Sequence, residues 1–105
     1  MIIEARMPGV VMTLKLVSGE EIVGSFVKED DKKITLRKPL MAALTQQGPT
    51  LTPFIFTVDV MGDTPELSFD KTHVLVATTT FKPFADAYRQ ATSGIASPNS
   101  MPGLV

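Results

Sequence analysis

Gly19 and Gly24 enclose four residues in the segment GEEIVG, which is the glycine spacing of a phosphate-binding P-loop. A P-loop also requires a lysine directly after its second glycine, because that side chain contacts the outer phosphates. Here Gly24 is followed by Ser25 and Phe26, and two glutamates lie where an anionic ligand would sit. The sequence therefore argues against nucleotide binding by this loop.

Other groups capable of chemistry are few. The chain has one histidine, His73, and no cysteine, which is too little for a zinc site or a histidine-activated nucleophile. The acidic run at residues 29–31 has the oxygen ligands that Mg²⁺ prefers, but carboxylates also accumulate in turns because they solvate the backbone, and we favour the turn interpretation. His73 follows Lys71 in a predicted turn, where a surface histidine is the simpler interpretation. We predict no enzyme, no cofactor and no metal site.

Three antiparallel strands with one apolar face are predicted around the two glycines. Apolar residues alternate with polar ones before Gly19, after it, and again beyond residue 32. The apolar positions of even number are Met12, Leu14, Leu16, Ile22, Phe26, Ile34 and Leu36. We expect Gly19 to supply a positive φ angle to the first turn, and Gly24, inside a strand, to mark a sharp bend or a close backbone approach.

The rest of the chain predicts further strands and one helix. Past Pro39 a second hairpin turns at residues 46–49 and returns through FIFTVDV; Gly62 and Pro65 interrupt it before it resumes at residues 66–69. After a turn at 70–73 comes the strand VLVATTTF. A helix over 83–92 is expected to pack through Phe84, Ala87, Tyr88 and Ala91. We predict a mainly β, strongly bent five-stranded antiparallel barrel with a C-terminal helix, as one domain over residues 1–96, followed by a flexible tail over 97–105.

Composition and charge limit the function classes. With 105 residues, 44% hydrophobic and 20% charged, the chain is long and apolar enough for one modest core, and it has no apolar run near the roughly 20 residues of a membrane-spanning helix. The N-terminus lacks the features of a secretory signal, and the absence of cysteine makes the cytoplasm the default location. The net charge of −1 excludes a uniformly basic protein, yet six of the ten basic residues lie between Lys15 and Lys38. They form either a local basic strip or the solvated face of a strand.

The segment from residue 14 to residue 36 resembles the first half of the Sm/LSm signature. The matching residues are Leu16, Val17, Ser18, Gly19, Gly24, Phe26 and Asp30. Residues 69–74, in which a strand end and a Lys-Thr-His turn precede a β-branched strand, are similar to the second half of the signature in bacterial, Hfq-like members. The resemblance covers residues 10–80 and is that of a divergent bacterial or phage-type member. It implies an Sm-like (SH3-type) barrel, a rotationally symmetric homo-oligomeric ring of about five to seven subunits, and binding of single-stranded RNA or DNA.

The sequence departs from the family at three places. No helix is predicted before the first strand, the Asn that helps to hold uracil has no counterpart in residues 31–34, and the Arg-Gly of the second turn is replaced by Lys71-Thr72-His73. Uridine specificity is therefore not implied.

The candidate binding residues lie in two turns. In such a barrel the turns after strands two and four lie at the same end, which predicts that Lys32 and Lys33 lie near Lys71, Thr72 and His73. By the family resemblance, Asp30 supports its turn through hydrogen bonds. The alternative is a structural or adaptor protein, such as a bacterial or phage assembly module, in which the oligomer is the function. Either class would act in the cytoplasm, which for a phage protein is that of the host.

Overall fold

The computed structural model describes residues 7–53 and 66–92. The elements in chain order are β1 (Val11–Leu16), β2 (Glu21–Glu29), β3 (Lys33–Thr45), β4 (Gly48–Thr52), β5 (Glu66–Asp70), a 3₁₀ turn (Lys71–His73), β6 (Val74–Thr79) and α1 (Lys82–Thr92). The predicted return arm FIFTVDV, the interruption at Gly62 and Pro65, and the predicted tail at 97–105 lie outside the described residues.

All strand pairs are antiparallel, and the order across the sheet is β4-β3-β2-β1-β6. β4 pairs with residues 41–45 of β3, and β5 pairs with residues 33–37 on the same edge of β3. Over residues 7–53 and 66–92 the sheet is therefore five strands wide, as predicted, and six strands build it. It curves into a half-barrel, so the prediction of a mainly β architecture with a C-terminal helix is confirmed.

The predicted strand boundary at Pro39 is wrong. β3 continues through that residue, which is buried. The pairing of β2 with β3 skips here, because Val23 lies opposite Leu40 whereas Ser25 lies opposite Arg37. Proline is tolerated inside the strand because a bulge leaves one residue without a ladder hydrogen bond. Lys38, at this bulge, has a φ angle of 50°.

Both predicted roles for the glycines are confirmed. Gly19 has a φ angle of 105° in the turn between β1 and β2. Gly24 lies opposite the β3 bulge, where a Cβ atom would come within 2.9 Å of the Leu36 Cβ atom. The close approach of the two strands therefore requires a residue without a side chain at position 24.

Two apolar clusters lie on opposite faces of the sheet. The inner cluster consists of Met12, Leu14, Ile22, Phe26, Ile34 and Leu36, with Leu16 packed against it. These are the seven even-numbered positions of the sequence analysis, so the predicted apolar face is confirmed. The outer cluster consists of Val11, Val23, Leu40, Ala85 and Tyr88. Strands β1 and β2 thus bury side chains on both faces, one inside the half-barrel and one under α1.

Helix α1 packs on the outer face through a slightly different stripe from the one predicted. Ala85 and Tyr88 are buried, whereas Ala91 is exposed. The Tyr88 side chain reaches the β3 bulge. Ala85, three residues earlier on the same face, is buried in place of the predicted Ala91. No helix in the described ranges has the length and apolar character needed to span a membrane.

Candidate nucleic-acid interface

The β2–β3 turn and the 3₁₀ turn lie side by side. The Lys71 backbone N–H donates a 2.8 Å hydrogen bond to the carbonyl oxygen of Lys32. Lys33 pairs with Asp70 at the end of the β3–β5 ladder. The structure thus brings together the five predicted binding residues, here called the turn cluster: Lys32, Lys33, Lys71, Thr72 and His73. Lys71 is half-buried and the other four are exposed.

Two aspartates hold the backbone of these turns. The Oδ1 atom of Asp30 accepts hydrogen bonds from the backbone N–H groups of Lys32 at 2.8 Å and Lys33 at 2.7 Å. Asp70 Oδ1 accepts from the backbone N–H of Thr72 at 2.9 Å and from its hydroxyl at 2.8 Å. Asp30 therefore has the geometry that the sequence analysis expected, whereas the equivalent role of Asp70 was missed. An Asp two residues before a turn threonine is the signal that would have identified it.

The same hydrogen bonds keep both aspartates charged. Backbone donation from Lys32 and Lys33 lowers the pKa of the Asp30 carboxyl below 3.8, and donation from Thr72 does so for Asp70. A carboxylate that accepts several N–H or O–H bonds is stabilised in its ionised form. Both side chains therefore carry a full negative charge beside the turn cluster at neutral pH.

The charges around the turn cluster balance. Residues 28–33 and 70–73 contain four lysines and four carboxylates. One of these lysines, Lys71, forms a 2.8 Å salt bridge with Glu29, in which both side chains are at most about one-third exposed. Lys28, Lys32 and Lys33 remain as exposed cations, and the last two belong to the turn cluster. The site is locally neutral, so a single copy would bind a polyanion only weakly.

The basic run at residues 32–38 does not form one continuous strip. Arg37 pairs with Glu66 of the neighbouring strand at 2.9 Å. The Lys38 ammonium group instead approaches the carbonyl oxygen of Thr92 at the end of α1, at 3.4 Å. Of the two sequence interpretations, a solvated strand face describes Arg37 better than a binding strip does.

β6 exposes apolar side chains. Its sequence is VLVATT, it pairs with β1, and Leu75 and Val76 are 64% and 51% exposed. Neighbouring exposed apolar side chains often mark a surface that contacts another chain. Leu75 and Val76 are therefore suited to a contact between subunits.

A groove that the sequence analysis missed lies between the start of α1 and the outer face of the sheet. It is open to solvent and has a volume of about 300 Å³. Its lining residues are Thr13, Glu21, Val23, Ala42, Thr78, Thr79, Thr80, Phe81 and Phe84. The sequence analysis assigned Phe84 to the core and Phe81 to a strand end. The signal was Phe81 itself, an aromatic residue between three threonines and the start of a helix.

In the described part of the chain, no three His, Cys, Asp or Glu side chains lie close enough to hold a metal ion. No protein-family model matches this sequence, and comparison with curated proteins also finds no match. The Sm/LSm resemblance thus remains a prediction that depends on the residues named for it.

Proposed function

We propose that this chain is a non-catalytic, Sm-like subunit of a closed homo-oligomeric ring that binds single-stranded RNA or DNA through the turn cluster. The observation that carries the proposal is the contact between the two turns, in which the Lys71 N–H donates to the Lys32 carbonyl oxygen. This contact puts the exposed Lys32 and Lys33 beside the turn that contains the exposed Thr72 and His73. Cations and polar side chains in one place are what a phosphate backbone requires. The Thr72 hydroxyl would have to exchange Asp70 for a phosphate oxygen in order to donate to it.

Ring formation is supported by the exposed apolar side chains of β6, because Leu75 and Val76 are 64% and 51% exposed. Contact of this surface with the next copy would cover Leu75 and, repeated head to tail, would close a ring. The Sm/LSm resemblance gives about five to seven copies with cyclic symmetry.

A ring would compensate for the weak affinity expected of a single turn cluster, whose lysines are balanced by neighbouring carboxylates. Each neutralised phosphate adds a salt-dependent increment to affinity, and equivalent weak sites act together on one flexible strand. The two turns, residues 30–33 and 70–73, contain no Phe, Tyr or Trp for base stacking. Binding at the turn cluster is therefore expected to depend on the backbone and to be weakly selective for sequence.

The experiment compares two charge-matched substitutions, Lys33→Glu in the turn cluster and Arg89→Glu on the exposed side of α1. Binding of a labelled single-stranded oligonucleotide is measured at about 50 mM salt, where phosphate contacts are strong. We expect Lys33→Glu to lower the affinity at least about tenfold and Arg89→Glu to leave it within about twofold. Sedimentation must show the same oligomer for both. Absence of binding by the wild type at this salt concentration would reject the proposal.

The second candidate is an assembly or adaptor module, as in a bacterial or phage particle. The balance of lysines and carboxylates around the turn cluster favours it. This function needs the exposed apolar side chains of β6 but no cation. It predicts a stable oligomer that retains neither RNA nor DNA at low salt and that co-purifies with a defined protein partner. The oligonucleotide titration of the wild type therefore separates the two candidates.

A further inference from the structure

The groove beside α1 is built from side chains of four strands and the helix. Its floor has short side chains, because Thr13 of β1 lies opposite Val23 of β2 and opposite Thr78 of β6, and Ala42 of β3 continues the floor. Phe81 and Phe84 line its helix side. A volume of about 300 Å³ matches the lower end of small-ligand sites, which span roughly 300–1,000 Å³.

The lining combines an exposed aromatic ring with polar groups of both kinds. Phe81 is 72% exposed, so it contributes little to the core and its ring is open to a ligand. The hydroxyl oxygens of Thr13 and Thr80 lie 2.9 Å apart, and such hydroxyls both donate and accept hydrogen bonds. The ionised carboxylate of Glu21 only accepts. A planar ring with a polar edge is the ligand shape that satisfies this lining.

Two lysines adjoin residues of the lining. Lys82 directly follows Phe81, its side chain is 83% exposed, and it pairs with Asp86 at 2.9 Å. Lys15 pairs with Glu21 of the groove at 3.4 Å and donates to the Gly19 carbonyl oxygen at 3.0 Å. Exposed ion pairs contribute at most about 1 kcal/mol, so either lysine readily exchanges its carboxylate for a phosphate.

We propose that this groove binds one base of a single-stranded nucleic acid. The base stacks on the Phe81 ring, its polar edge bonds to the threonine hydroxyls and the Glu21 carboxylate, and Lys82 and Lys15 contact the flanking phosphates. Base stacking on an aromatic side chain combined with cations along the backbone is the usual mode of single-strand binding. The inference depends on the proposed function and adds to it a subsite that recognises the base.

Glu21 gives the subsite a direction of selectivity. A carboxylate accepts from an exocyclic amino group, which cytosine, adenine and guanine carry and uracil and thymine lack. The groove should therefore prefer amino-bearing bases. It lies at the C-terminal end of β6, about 20 Å along that strand from the turn cluster, so one strand of nucleic acid can contact both places.

The test compares a short cytosine-rich strand with an abasic strand of the same length at about 50 mM salt. We expect Phe81→Ala to lower the affinity for the cytosine strand about tenfold and to leave the abasic strand unaffected, since stacking contributes only where a base is present. Ala42→Leu, which fills the floor and keeps the ring, should give the same loss. Met7→Ala, which removes an exposed apolar side chain outside the groove, is the matched control.

Selectivity is tested with Glu21→Gln. The wild type should bind cytosine-rich strands several-fold more tightly than uracil-rich ones, and the substitution should reduce that ratio to about one, because an amide no longer offers two acceptor oxygens. Equal binding of the two strands by the wild type would contradict the role of Glu21.

The failure of this inference is distinguishable from failure of the proposed function. If the wild type binds abasic and cytosine strands equally, the base subsite is rejected while backbone binding by the turn cluster stands. If no strand binds, the proposed function is rejected. In that case the base subsite is tested by adding cytidine monophosphate while the NMR signals of Thr78 and Phe81 are followed. Unchanged signals at millimolar nucleotide would reject the subsite as well.

Discussion

The hydroxyl group of Tyr88 donates a hydrogen bond to the backbone carbonyl oxygen of Arg37 over 2.7 Å. The carbonyl oxygen of Lys38 lies 3.0 Å from the same hydroxyl. These carbonyl groups belong to the β3 bulge, so a single buried side chain joins α1 to the most irregular part of the sheet. The Thr92 hydroxyl closes the last turn of the helix by donating to the Tyr88 carbonyl oxygen at 2.7 Å.

Removing the Tyr88 hydroxyl should destabilise the protein without changing its fold. Tyr88→Phe keeps the ring in the outer cluster but withdraws the only hydrogen that this side chain donates to the bulge. We expect a loss of about 1–2 kcal/mol in the free energy of unfolding. Urea denaturation measures it, and an unchanged midpoint would show that water replaces the hydroxyl at no cost.

The same residue predicts a loss of stability at alkaline pH. Burial raises the pKa of Tyr88 from 10.0 to about 12. Because the folded-state pKa is the higher one, the stabilisation is complete below pH 10 and is lost as the pH rises towards 12. Lysines titrate in the same range, so the measured quantity is the difference in stability between wild type and Tyr88→Phe, which should shrink from pH 10 to pH 12. A constant difference would contradict the assignment.

A side chain at position 24 should be incompatible with the bend. The Cβ atom of Gly24→Val would lie 2.9 Å from the Leu36 Cβ atom, so the two strands must separate. We expect a destabilisation of about 1–3 kcal/mol, which is typical of overpacked cores. Lys28→Val, an exposed substitution in the same strand, is the control and should change stability little. An unchanged melting temperature for Gly24→Val would contradict the close approach.

The two turn aspartates should lose their stabilising effect in acid. Backbone N–H groups lower the pKa of Asp30, with Lys71 and Lys33 as the nearby cations. Because the pKa of Asp30 is lower in the folded state than in the unfolded state, its stabilising effect is complete above pH 3.8. The effect is lost as the pH falls through the folded-state pKa. The denaturant midpoint of Asp30→Ala should therefore lie below that of the wild type at pH 7 and approach it below pH 3.8. A gap that does not narrow would argue against a charged cap.

A lysine among the exposed apolar side chains of β6 should prevent assembly of the proposed ring. Leu75→Lys places a charge in the proposed contact between subunits, and an unpaired charge is expensive to bury. We expect the sedimentation coefficient to fall to that of the monomer, with an unchanged circular dichroism spectrum. Met7→Lys, at another exposed apolar residue, should leave the oligomer intact. A monomeric wild type at micromolar concentration would remove the basis of the ring.

The sequence alone determined the inner face of the half-barrel and the positions of several turns. Side chains in a strand alternate between two faces, so the even-numbered apolar residues from Met12 to Leu36 had to share one side once they formed strands. The role of Gly19 was also readable, because a positive φ angle is a local requirement of a tight turn. The role of Asp30 was predicted from the Sm/LSm resemblance.

Only the tertiary structure decided which distant residues meet. Proline at position 39 lies inside β3 because a bulge forms opposite Gly24, and that depends on the register between two strands. The Lys71 ammonium group forms a salt bridge with Glu29, which lies 42 positions earlier in the chain, and is therefore less available to a phosphate. The groove joins Thr13, Ala42 and Phe81 through the curvature of the sheet and the docking of α1. Register and curvature arise from packing among many residues at once, so no local pattern encodes them.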